Sequence, residues 1–131
     1  LESRYILSEY LIGKAEILFV LQHYKEAHIL VEEGNQIMHE IGKKEGFLQS
    51  NILSIKIDFA LGKQDAPCRL KDMLKQTQDN AEIATLHYEL WKMNHEEDNW
   101  QKAFSLYQCL YESTSNSEYK VRIDEMKKNS P

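Results

Sequence analysis

Five histidines, two cysteines and a surplus of carboxylates are the residues of this 131-residue chain whose chemistry could reach beyond packing. His23 and His28 lie five positions apart, and His87 and His95 eight apart. One helix brings two imidazoles to one metal when they are four positions apart, stacked on the same face. Neither pair meets that condition. "HEED", starting at His95, sets an imidazole before three carboxylates, but it interrupts two apolar helical runs and reads as a solvated inter-helix turn. Cys109, within "LYQCLYE", reads as a small core residue, and Cys68 follows Pro67 near a helix start, where the helix dipole favours a thiolate. Neither has a CxxC or Cys/His neighbourhood. No glycine-rich phosphate loop and no Gly-x-Ser-x-Gly turn is present. The expectation is therefore a chain with no catalysis, no metal and no cofactor.

The elements that carry these residues read as helices throughout. Five glycines and two prolines are too few for a fold built on many tight turns. Apolar residues make up 42% and charged residues 28%, an ordinary balance for a soluble domain. A formal charge of −5 disfavours nucleic acid, because phosphate contacts need clustered Lys and Arg. No apolar run approaches the ~20 residues that span a bilayer, and no signal peptide is visible. With no disulfide framework, a reducing cytoplasmic setting is expected. The chain starts at Leu1 and reads as a piece of a longer protein.

Apolar residues return at steps of three and four over 3–22, 24–41, 44–61 and 80–95, and again over 99–112 and the closing "EYKVRIDEMKK". A shorter helix opens at Ala66-Pro67, since proline fits the first turn, where its missing N–H costs no hydrogen bond. Gly42 and Gly62 are placed to end helices in the left-handed region. Short connections between these seven helices favour antiparallel hairpins, about 3–42, 44–77 and 80–113, with a cap at 116–129.

Two stretches repeat. "QHYKEAHIL" places Tyr24, Ala27 and Leu30 at steps of three, and "NWQKAFSLY" does the same with Trp100, Ala103 and Leu106, 76 positions later (103 − 27). Ala66 falls between, giving intervals of 39 and 37. Self-similarity at such a period marks an α-solenoid. With Ala15 as a small residue in the preceding helix, these positions resemble the tetratricopeptide repeat. The likeness runs over 5–112, and the middle copy, "FALGKQDAPCRL", lacks the aromatic. The sequence departs from the family where Trp91 and Ile55 replace a small residue, and where no copy ends in proline. The end of the chain, from "LHYELWKMNHEEDNW" onward, resembles the closing segment of tetratricopeptide regions in large bacterial signalling proteins.

The resemblance implies an all-α solenoid of about three hairpins with a C-terminal capping helix. Its first helices would line a concave face that binds a peptide or helix of a protein partner. On this chain that lining is Glu9, Ile12, Glu16 and Phe19, then Gln49, Ile52, Lys56 and Phe59, then Tyr88, Lys92 and His95. Binding of chaperone C-terminal carboxylates is not expected, because Ile12 and Glu16 stand where the family's clamp has Lys and Asn. The alternative function is self-association, a homodimer or scaffold within a multidomain signalling protein.

Overall fold

The computed structural model describes residues 2–131, and among them it contains seven α-helices and no strand. They are α1 (Glu2–Val20), α2 (Tyr24–Ile41), α3 (Phe47–Ala60), α4 (Ala66–Leu74), α5 (Asn80–Asn94), α6 (Glu97–Thr114) and α7 (Ser117–Lys128). The all-α expectation is borne out, with helix ends within three residues of those read from the sequence. The ends follow from local chemistry. Gly42 stops α2 at φ 72°, in the left-handed region. Asp79 caps α5 by accepting from the Glu82 N–H at 3.1 Å, and Asn116 caps α7 through the Glu118 N–H at 2.9 Å. None of the helices is long and apolar enough to cross a membrane among the described residues.

The chain forms two compact units, one ending at Ala66 and the other beginning at Pro67. The expected hairpin 44–77 straddles that boundary. Its first helix, α3, packs in the first unit, and all but the first residue of α4 belongs to the second.

In the first unit α2 lies between α1 and α3, which also touch each other. Ala27, Val31, Gly34 and Met38 recur at steps of four, three and four, so they form one buried stripe on α2. Ala15 of α1 and Leu53 and Ile57 of α3 meet Ala27 and Val31 in the core. At Gly34 the backbone lies close to α1, and a Cβ there would stand 2.7 Å from Cγ1 of Ile12 and 3.3 Å from the Ser8 carbonyl oxygen.

In the second unit α6 is central and packs on α5 and α7. Its core joins Ala84, Tyr88 and Trp91 of α5, Ala103 and Tyr107 of α6, and Ile123 and Met126 of α7. An offset of 76 links the two cores residue by residue: Ala27 with Ala103, Val31 with Tyr107, Ile12 with Tyr88, Ala15 with Trp91. At three of these four positions the second unit has an aromatic ring where the first has a smaller group.

Candidate functional site

The residues expected to line a binding face divide between the units. In the first, α1 carries Glu9, Ile12, Glu16 and Phe19, and α3 carries Gln49, Ile52, Lys56 and Phe59. Glu9 accepts from Nζ of Lys43 at 3.1 Å, and that hydrogen bond holds its carboxyl below the usual carboxylate range. The same ammonium stands 3.7 Å from the centre of the Tyr5 ring. Phe19 leans on Tyr24, with ring centres 5.6 Å apart, and lies 5.3 Å from Nζ of Lys56. One turn beyond Lys56, Phe59 keeps 40% of its surface exposed. Phe19 and Lys56 are thus brought together across α1 and α3, while Glu16 and Gln49 are simply exposed.

Two anchors in this set are corrected. Ile52 is 5% exposed and belongs to the core, not to a binding face. Ile12 packs against the cluster around Ala15 and Val31 and fills the space opposite Gly34. A helix covered on two sides has more than one apolar stripe, and period alone does not say which stays open.

In the second unit Tyr88 and Lys92 follow one another on α5, and His95 is the residue just past its end. Tyr88 is also corrected to a core position, at 6% exposure. Its hydroxyl donates to Oε1 of Glu125 on α7. Burial first, and then the nearby Glu125 carboxylate, push the Tyr88 hydroxyl above the ordinary phenol range. Lys92 Nζ stands 3.4 Å from both the Tyr88 hydroxyl and Oε2 of Glu125. Deeper in, Arg122 donates to the Tyr107 hydroxyl and, at 3.3 Å, to Thr85 Oγ1. Its guanidinium lies 4.9 Å from the Tyr88 ring centre and 5.5 Å from that of Tyr107. Burial also raises the Tyr107 hydroxyl above its ordinary value.

This network fixes α7 against α5 and leaves an open cleft of about 510 Å³ beside them. Trp91, Lys92, His95, Glu125 and Asn129 line it, together with the chain end Ser130 and Pro131. Lys92 and His95 are exposed here, over a Trp91 that is buried. His95 is held in the left-handed region (φ 57°) as the residue that ends α5. The cleft offers an apolar floor, one cation, one carboxylate and an imidazole within a short span.

Sequence reasoning missed a second polar group. His28 Nδ1 of α2 lies 3.3 Å from Oδ1 of the buried Asp58 on α3, and Lys63 Nζ lies 4.0 Å from the same oxygen. One turn along, Ser54 donates to Glu32 at 2.7 Å. His28 with Glu32, and Ser54 with Asp58, are spaced at four on facing helices. That spacing was the available signal.

The aromatics of the repeated motif are placed differently. Tyr24 sits against α1, whereas Trp100 stacks on Phe104 of its own helix (centres 4.7 Å apart) and donates from Nε1 to the Met126 carbonyl at 3.0 Å. Cys68 and Cys109 are both exposed, so Cys109 is not the core residue the sequence suggested. Among the described residues no three His, Cys, Asp or Glu side chains are grouped to hold a metal. The chain matches no protein-family model, no curated protein and no solved structure.

Proposed function

We propose that the chain is a non-catalytic interaction module of the tetratricopeptide type that holds a peptide or helix of a partner protein. One observation carries this reading: the cleft of the second unit, where the sequence-predicted Lys92 and His95 stand exposed beside Glu125 over the Trp91 ring. A short segment with an apolar side chain and a carboxylate is complementary to it. The apolar group would lie against the edge of Trp91 that the cleft leaves open, and the carboxylate would pair with Lys92. Tyr88 and Glu125 pre-position that ammonium, which lowers the ordering cost of binding.

The test is selection from a random peptide library on the intact chain, followed by titration of the selected peptides against variants. Lys92→Glu should weaken binding by about tenfold or more, or ~1.4 kcal/mol. Lys56→Glu, in the other unit, should leave binding at this cleft unchanged. Both variants should keep their helix content at the assay temperature, with Lys92→Glu melting somewhat earlier because it sets a carboxylate beside Glu125. Selected peptides that bind Lys92→Glu as tightly as the parent would remove the cleft from consideration. Self-association is the second reading, and the exposed apolar side chains of α1 favour it.

A further inference from the structure

We infer that α1 is a homodimerisation helix, pairing antiparallel with α1 of a second copy of this chain. This rests on the self-association reading and not on the peptide cleft. The side of α1 that packs in the core carries Ser8, Leu11 and Ala15. On the opposite side Ile6, Tyr10, Gly13, Ile17 and Val20 recur at steps of four, three, four and three, the spacing of a coiled-coil seam. The apolar side chains there, with Leu7 and Leu21, remain 43% to 73% exposed. Lys14 flanks this stripe on one side, and Glu9 and Glu16 flank it on the other.

Its arrangement is self-complementary. Ile6 and Leu21, Leu7 and Val20, and Tyr10 and Ile17 are pairs whose numbers add to 27, so the six apolar positions, Leu21 being the first residue past α1, map onto themselves when the segment is reversed. An isologous two-fold interface needs that property, because each residue must meet the mirror position of its own sequence. A peptide of unrelated sequence would not require it.

The centre of the palindrome falls between Gly13 and Lys14. A Cβ on Gly13 would meet nothing within 4 Å, so nothing inside the chain requires a glycine there. A mid-helix glycine costs about 1 kcal/mol relative to alanine. In the antiparallel pair Gly13 faces Lys14 of the second copy, and the missing side chain gives the lysine stem room to lie across the seam, its ammonium reaching water at the edge.

The size fits as well. Six side chains exposed to this degree present on the order of 650 Å² per copy, so the pair can bury up to ~1,300 Å², the lower end of standard interfaces. Such a patch is large for the surface of a monomer.

The test uses the whole chain. Light scattering at about 50 µM, a concentration suited to a micromolar dimer, should give twice the 15.4 kDa chain mass. Ile17→Glu should raise the dissociation constant at least thirtyfold, as for loss of a central anchor. Helix content should be kept, because Ile17 is exposed and faces away from its own core. In a chain carrying Cys68→Ser and Cys109→Ser, Tyr10→Cys mixed with Ile17→Cys should form a disulfide-linked dimer on mild oxidation, and neither should do so alone. A parent chain that stays monomeric overturns the inference, as does a dimer that survives Ile17→Glu. Cross-linking within either single variant, with no link between positions 10 and 17 in the mixture, overturns it too, since that marks a parallel pair. None of these failures touches the peptide cleft on α5 and α7, which the library titration tests separately.

Discussion

Gly13 and Gly34 are both mid-helix glycines, and their surroundings give them opposite behaviour. At Gly34 a Cβ would press on Cγ1 of Ile12, well inside van der Waals contact, and on the Ser8 backbone oxygen. The helix-propensity gain of alanine, up to ~1 kcal/mol, is then smaller than the overpacking cost of about 1–3 kcal/mol. Gly34→Ala should therefore destabilise the chain by about 1–2 kcal/mol in urea unfolding. Gly13→Ala, made in the Ile17→Glu background, should stabilise it by ~0.5–1 kcal/mol, because no neighbour opposes the added methyl group. A stabilising Gly34→Ala would mean that Ile12 moves aside freely and that the helices are not held close there. Ala15, Ala27 and Ala103 were legible as contact residues, and each is fully buried. Gly34 was not, because the repeat pattern directs attention to its alanines. Ile52 and Tyr88 were misassigned for a related reason. Both lie on helical stripes that look alike from either side, and only the packing of α3 and α7 shows which stripe is covered.

At the scale of the helices, α2 and α3 are joined by polar rungs as well as by Val31, Leu53 and Ile57. Asp58 is buried, and the His28 imidazole covers it, with Nδ1 3.3 Å from its Oδ1 and Lys63 Nζ 4.0 Å from the same oxygen. Removing the imidazole leaves a buried carboxylate less well compensated, which costs more than the pair itself contributes. His28→Ala should therefore lose about 2–3 kcal/mol, and adding Asp58→Ala should recover part of that loss. Strictly additive losses in the double-mutant cycle would show that the two side chains do not act on each other. The helix ends were readable because caps are local: Gly42 and Asn116 do what their residue types favour. The α2–α3 rungs depend on which helix faces which. A period of four on each helix marked candidates without saying that they meet.

Across the whole chain, the two units share a residue pattern at an offset of 76 but differ in what fills it, and this gives them different responses to alkali. The second unit holds both tryptophans and the two tyrosines whose hydroxyls are raised, Tyr88 and Tyr107. Burial keeps these phenols protonated in the folded state, while in the unfolded chain they ionise near pH 10. Above that pH the unfolded state has released protons that the folded state still binds, so stability falls as pH rises. Below about pH 10 both states keep the proton, and this contribution is fully present. Tryptophan fluorescence reports the second unit alone, because Trp91 and Trp100 both lie beyond Pro67. The urea midpoint seen by fluorescence should therefore decline steeply between pH 10 and 12, and Tyr88→Phe should make the decline shallower. Circular dichroism reads helices of both units, so its transition should separate into two steps as pH rises, the earlier one following the fluorescence midpoint. A fluorescence midpoint that is flat across this range would mean that Tyr88 and Tyr107 titrate as exposed phenols. The aromatic core that holds α7 beneath the cleft would then be far looser than the packing of Tyr88, Tyr107 and Arg122 requires.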